Sequence, residues 1–158
     1  MNKFSKITEN SSTPYKIGFD LHGVIDSLPD LFSFLSEAIV KNGGEVHILT
    51  GSSWTEKTED LLNSYGIVWT HAFSVYDELI RSNTKIVGEI QFPDGTIQKK
   101  FEDGAWDHVK AEYCEKENIT LHLDDTLIYN DHFRTPFARL WSHNNKPKDS
   151  HKDIRHLK

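Results

Sequence analysis

The sequence predicts an α/β fold: three layers, a doubly wound and mainly parallel sheet, and a small β-hairpin insertion. Three observations carry that prediction. Short apolar runs of strand length alternate with longer stretches of helical spacing, the βαβ rhythm of a parallel sheet with right-handed crossovers. Three of the apolar runs end on small polar or acidic residues, and open α/β sheets bind ligands at such strand ends, above all where the strand order reverses. The alternation breaks once, at Pro93–Asp94–Gly95, a hairpin turn signal between two strand-like runs.

Taken in order, residues 1–14 are polar, include Asn10–Ser11–Ser12–Thr13, and read as a loose arm before a domain spanning 15–142. Lys16–Asp20 is the first strand. Leu28–Asn42 is a helix, because Leu31, Phe32, Leu35, Ala38 and Ile39 recur at helical spacing and Gly43–Gly44 closes it. Val46–Leu49 is the second strand. Ser53, with Glu56 three residues on, has the spacing of a capping box and opens a helix over Trp54–Tyr65 that Gly66 stops. Ile67–Trp69 is expected as the third strand and Val75–Ser82 as a short helix. Ile86–Phe92 and Thr96–Phe101 form the hairpin, an insertion of about 85–102. It reads equally as a minimal cap over an open site or as an extension of the sheet. Trp106–Glu117 is a helix leading into the apolar run that ends at Asp124, and Ala138–Trp141 is a final strand. Residues 143–158 read as a polar, solvated tail.

Composition narrows the function classes. The chain has 158 residues, 37% hydrophobic and 27% charged, enough for one domain with a real core. No transmembrane run and no signal-peptide core is visible. Cys114 is the only cysteine, so no intrachain disulfide can form and a reducing, cytoplasmic setting is expected. A net charge of −6 argues against non-specific duplex binding, while leaving a nucleotide or a nucleic-acid end open as ligand. The nine histidines are scattered without a zinc spacing, and His47 and His122 alternate with apolar strand residues, as structural positions do.

The chemistry lies at three strand ends. Ile17–Gly18–Phe19–Asp20–Leu21–His22–Gly23 delivers a carboxylate into a glycine-permitted loop, where it can serve as nucleophile, metal ligand or plain turn former. At Leu49–Thr50–Gly51–Ser52, the Thr50 hydroxyl and the following backbone N–H groups could hold an anion. Asp124–Asp125 places adjacent carboxylates together, which is costly unless a cation joins them. Mg²⁺, with its preference for hard oxygen ligands, fits best; a solvated turn is the alternative.

Asp20-x-His22-Gly23-Val24, Leu49-Thr50-Gly51 and Leu123-Asp124-Asp125, in that order, resemble the motifs of the haloacid dehalogenase-like (HAD) superfamily, mostly Mg²⁺-dependent phosphohydrolases. The resemblance runs from Lys16 to about Leu140. It implies that Asp20 is the nucleophile that forms an aspartyl-phosphate, and that Thr50 and Gly51 bind the phosphoryl group. It implies that Mg²⁺ is held by Asp20, Asp124, Asp125 and the backbone carbonyl of His22. The family also needs a cationic side chain at the phosphate. Lys110 fits that role, and Lys99 and Lys100, on the hairpin, fit it less well. His22 departs from the pattern, since hydrolytic members carry an aspartate there as acid–base catalyst. A histidine titrating near neutrality can do that work. The replacement also suits a catalytically impaired binding module or a phosphotransferase. The expected ligand is a phosphorylated small molecule or nucleotide, and Asp26 is expected to cap a helix or shape the loop.

Overall fold

The computed structural model describes residues 14–140. The arm expected over 1–14, apart from Pro14, and the tail over 143–158 lie outside them. Five strands form one parallel sheet in the order β3-β2-β1-β6-β7, with β1 at Lys16–Asp20, β2 at Glu45–Thr50, β3 at His71–Ser74, β6 at Leu121–Asp124 and β7 at Phe137–Arg139. The chain steps outward from β1 through β2 to β3, then crosses back to β6 on the other side of β1. The order therefore reverses at β1, and the C-terminal ends of β1 and β6 open into one crevice.

Alternation along β2 separates the two faces. Val46 and Ile48 pack into a cluster with Phe32 and Leu62, from α1 (Pro29–Lys41) and α2 (Glu56–Ser64). Leu49 packs on the opposite face with Cys114 of α4 (Val109–Lys116). Helices thus cover both faces, the outcome that right-handed crossovers dictate once the order reverses. Each fully buried Leu, Ile or Phe in these clusters contributes about 1.5–3 kcal/mol.

The helix ends follow local chemistry. Pro29 opens α1, and Gly43 closes it in the left-handed region at φ 79°. The Gly43 N–H donates to Val40 at 3.0 Å and the Gly44 N–H to Ile39 at 2.9 Å, the paired bonds of a Schellman motif. α2 begins later than its sequence suggests, because Thr55 and Thr58 form the capping box in place of Ser53 and Glu56. Asp77, in the first turn of α3 (Val75–Arg81), draws Ser53 away. It accepts from the Ser53 hydroxyl at 2.5 Å and from the Trp54 N–H at 2.8 Å. The loop after Thr50 is thereby anchored to α3.

The third strand is His71–Ser74 and not Ile67–Trp69. Ile67 is buried in the core, the Val68 N–H donates to Ser36 Oγ at 3.1 Å, and Trp69 packs edge-on against Trp54. The apolar run therefore anchors the connection against α1. The chain reaches the sheet only at Thr70, whose N–H donates to Val46 at 2.9 Å. α4 likewise starts at Val109, after turns through Gly104–His108, and not at Trp106. β7 is set by its register against β6, with Phe137 opposite His122 and Arg139 opposite Asp124. Of the strand expected at Ala138–Trp141, Trp141 lies outside the described residues.

The hairpin pairs β4 (Ile86–Gln91) with β5 (Ile97–Phe101) as a separate antiparallel sheet, so it does not extend the main one. Its base is rooted through Phe101, which packs with Val75, Leu79 and Val109. Its outer part leaves Ile90 and Phe92 exposed. No helix among the described residues is long and apolar enough to cross a membrane.

Candidate active site

The three acidic motif residues converge at the strand-order reversal. Asp20 ends β1 and Asp124 ends β6, one strand away. Alternation sends Phe19 into the α1–α2 core and so turns Asp20 toward the α4 face. Lys110, in the first turn of α4, reaches up from that layer. Its Nζ donates to Asp20 Oδ1 at 2.8 Å and to Asp124 Oδ2 at 2.6 Å. All three side chains are buried, Lys110 to 2% and Asp124 to 0% exposure. An ammonium is affordable there only because two carboxylates grip it.

His122 precedes Asp124 by two residues and shares its face, donating Nε2–H to Asp124 Oδ2 at 3.2 Å. The ring stacks on Phe133 and lies against Gly18, where a Cβ would sit 2.7 Å from Nδ1. A side chain at position 18 would push this histidine off its aspartate. Asp125 is half-buried, and its own oxygen lies within 4.8 Å of those offered by Asp20 and Asp124. Arg139 Nε donates to the Asp125 carbonyl at 2.9 Å. Thr126 donates its N–H to Asp124 Oδ1 at 2.9 Å and its hydroxyl to Asp125 Oδ1 at 3.1 Å.

The environment pushes the titrations apart. Burial, reinforced by the Asp124 charge, raises the Asp20 carboxyl to about 8 against the pull of Lys110. Burial acts on Asp124 too, but the Lys110 charge and the His122 hydrogen bond outweigh it and hold Asp124 below the usual carboxylate range. Burial opposes the Lys110 ammonium, yet Asp124 and Asp20 hold it above its ordinary value. Asp125 is raised by burial and by Asp124. At neutral pH the cluster therefore holds a charged lysine, an ionised Asp124 and an Asp20 that retains a proton.

Three carboxylates offering oxygens within 4.8 Å of one another suit a hard cation. Ligand oxygens on an Mg²⁺ octahedron of about 2.1 Å bond length lie roughly 3–4 Å apart, so the donor set fits with small adjustments. The loop after β1 forms a cradle over it. Gly23 has φ 87°, and a Cβ there would lie 2.1 Å from Asp125 Oδ2. Asp26 holds that loop, accepting the Gly23 N–H at 2.7 Å and the His22 Nδ1–H at 3.1 Å.

The other motif residues take different places. Thr50 is fully buried at the end of β2, one position past Leu49, the partner of Asp20, and its hydroxyl accepts from the Ser52 N–H at 3.2 Å. Gly51 lies against Trp106, whose ring would be 3.2 Å from an added Cβ. The His22 ring is half-exposed and turned to Asp26, outside the carboxylate cluster.

A cavity of about 730 Å³ lies between the hairpin and the turn that follows β6. Ile90, Phe92, Lys100, Trp106, Thr126 and Tyr129 line it. Trp106 Nε1–H donates to the Tyr129 hydroxyl at 3.0 Å, so these two rings satisfy each other's polar atoms and offer apolar faces to the cavity. Lys110 Nζ sits 5.1 Å from the Tyr129 ring centre, which links cavity and cluster. Sequence reasoning missed His122, Thr126, Trp106 and Tyr129. Only His122 carried a signal, its two-residue offset from Asp124.

Fold and site together define a Rossmann-like α/β protein with a buried acid–lysine cluster at its strand-order reversal. Compared with protein-family models, curated proteins and solved structures, the chain shows no match.

Proposed function

We propose that this protein is a Mg²⁺-dependent phosphohydrolase that cleaves phosphomonoesters through an aspartyl-phosphate on Asp20, the chemistry of the HAD superfamily its motifs resemble. The observation that supports it best is Lys110 bridging Asp20 and Asp124 at 2.8 and 2.6 Å, beside a third carboxylate within ligating distance. Phosphoryl transfer asks mainly for positioning and charge neutralisation, and this cluster supplies both.

In this reading Asp20, Asp124 and Asp125 hold the cation. When bound, the cation neutralises the repulsion between carboxylate and phosphate. Asp20 attacks phosphorus as the ester P–O bond breaks. Lys110 offsets the developing charge, and Thr50 and Gly51 cradle the phosphoryl oxygens. The leaving oxygen takes a proton from His22, whose Nδ1 is tied to Asp26 so that Nε2 stays free for transfer. Water then attacks the phosphorus of the acyl phosphate, returning a proton to His22 as the P–O bond to Asp20 breaks; inorganic phosphate leaves and Asp20 is restored. The cavity beside Tyr129 takes the leaving group, and its ring-lined walls favour an aromatic body such as a nucleoside. We infer a cytoplasmic setting, in which buried Cys114 stays reduced.

A second reading, metal-dependent phosphate binding without turnover, draws on the half-exposed His22, held away from the carboxylates by Asp26. Phosphate release from an aryl phosphate and a nucleotide panel separates the two. The hydrolase requires release that depends on Mg²⁺ and is lost in EDTA and in Asp20→Asn. Undiminished release by Asp20→Asn ends the proposal. Mg²⁺ binding by calorimetry with no release favours the second reading.

A further inference from the structure

The opposite edge of the sheet holds a second convergence of ligating side chains. Glu45 and His47, two residues apart on β2, share one face, and the parallel register sets His71 of β3 beside His47. Glu45 Oε2 lies 3.0 Å from His47 Nε2 and 3.7 Å from His71 Nδ1. All three ligating atoms fall within 4.8 Å of one another. A tetrahedral zinc ion with bonds of about 2.0–2.1 Å spaces its nitrogen and oxygen ligands roughly 3.3 Å apart, so this triangle is close to the required size.

We propose that Glu45, His47 and His71 form a site for Zn²⁺ or a similar borderline divalent ion, separate from the Asp20 cluster. The donor chemistry sets the selectivity. Two imidazoles and one carboxylate suit zinc, cobalt or nickel, whereas the all-carboxylate cluster suits magnesium. The support is already in place. His47 is fully buried and its second nitrogen, Nδ1, lies 2.8 Å from the Tyr113 hydroxyl, an outer contact that aims Nε2 at the site. His71 stacks on His47 at 4.2 Å with an interplanar angle of 9°. Its Nδ1 lies 3.0 Å from the Thr70 hydroxyl and leaves that partner for the ion, and its half-exposed ring gives the ion access from solvent.

Without metal, the Nε2–H of His47 bonds Glu45, and Lys16 Nζ lies 3.2 Å from the same Oε2. Metal binding exchanges these partners. Nε2 gives up its proton to become a ligand, Nδ1–H turns to donate to the Tyr113 oxygen, and Lys16 moves to the other carboxylate oxygen. Three protein ligands leave the fourth position to water.

The test uses the full chain, stripped with a chelator and then held in excess Mg²⁺ so that the carboxylate cluster is occupied. Zn²⁺ binding is measured by calorimetry, and Co²⁺ by its visible absorption, which is intense for four-coordinate tetrahedral ions and weak for six-coordinate ones. One equivalent of Zn²⁺ should bind with Kd on the order of 1 μM or below. The ring signals of His47 and His71 should shift in NMR spectra. His71→Ala and Glu45→Gln, at partly exposed positions, should each weaken Kd at least tenfold with melting still cooperative, and Asp124→Asn should leave it unchanged. An unchanged Kd in His71→Ala would assign binding to other histidines and overturn the proposal. So would loss of Zn²⁺ binding only in Asp124→Asn, or no binding below millimolar Zn²⁺.

Discussion

Replacing Lys110 by methionine is the sharpest test of how the acid–lysine cluster is held together. The side chain keeps its volume in a site that is 2% exposed, but the ammonium that joins Asp20 and Asp124 is gone. Asp20 absorbs part of the damage by keeping its proton, since burial already raises its carboxyl to about 8 with the lysine present. Asp124 cannot do so cheaply, because Lys110 is the main influence holding it ionised against burial. Removing one partner of a buried ion pair costs about 3–5 kcal/mol. For a chain of this size each kcal/mol lowers the melting temperature by about 2–4 °C, so Lys110→Met should melt roughly 10 °C below wild type in EDTA at pH 7. Far-UV circular dichroism reads this directly. Mg²⁺ held at a hundred times the wild-type Kd adds about 2.7 kcal/mol to the wild type. The gain should be larger in Lys110→Met, where the cation replaces a missing charge. Adding Asp124→Asn should recover at least ~1 kcal/mol of the loss, because it removes the stranded carboxylate. A variant melting within about 2 °C of wild type, or a double variant no better than the single, would refute the reasoning.

The raised Asp20 carboxyl predicts two pH dependences. Ligation of a cation releases its proton, so apparent Mg²⁺ affinity should rise roughly tenfold per pH unit up to about 8 and level off above, as calorimetry from pH 6 to 9 will show. Metal-free stability should move oppositely. A carboxyl raised in the folded state above its unfolded value of 3.8 binds more protons when folded, so its contribution is lost as pH climbs through about 8. Asp124, lowered instead, loses its contribution only in acid, and the gain from His47 and His122, both lowered by burial, is complete once unfolded imidazoles are neutral; a melting temperature in EDTA that rises from about pH 7.5 to 9 contradicts the assignment. Gly23→Ala should cost about 2 kcal/mol from backbone strain at φ 87° together with a Cβ placed 2.1 Å from Asp125 Oδ2. It should also weaken Mg²⁺ binding about tenfold by displacing that carboxylate, a loss that chemical denaturation and calorimetry separate.

Much of this was legible in the sequence because the informative signals are local. Asp20, Asp124 and the Thr50–Gly51 turn each end an apolar strand, and parallel topology brings strand ends to one edge whatever lies between. The β3 error shows where locality fails. Ile67–Trp69 has the composition of a strand, but burial of Ile67 and the contact of Trp69 with Trp54 decided its use, and both depend on α1 and α2 being in place. Ser53 failed as a cap for the same reason, since Asp77 competes for it from 24 residues away. Trp106 and Tyr129 are 23 residues apart and meet only after the crossover to β6, so no spacing rule could pair them. The stacking of His47 on His71 is likewise a property of register between β2 and β3 and not of either motif.

The charge count of the cluster orders the events of the proposed reaction. Asp124 and Asp125 facing one ammonium leave a net charge of −1, and ionising Asp20 to make it a nucleophile takes the cluster to −2. A phosphate dianion approaching that charge in a medium of low effective dielectric meets repulsion of several kcal/mol, more than Lys110 can offset while its donors are spent on Asp20 and Asp124. Protonation of Asp20 relieves the repulsion but removes the nucleophile, so acid cannot substitute for metal. A divalent cation held by Asp20, Asp124 and Asp125 would supply the missing positive charge, so that Asp20 could lose its proton and Lys110 could turn toward the phosphate. Metal must therefore bind before substrate. Steady-state rates should then show Mg²⁺ as the obligatory first ligand, with substrate inhibiting at low Mg²⁺ by sequestering it in solution and not by competing for the empty protein.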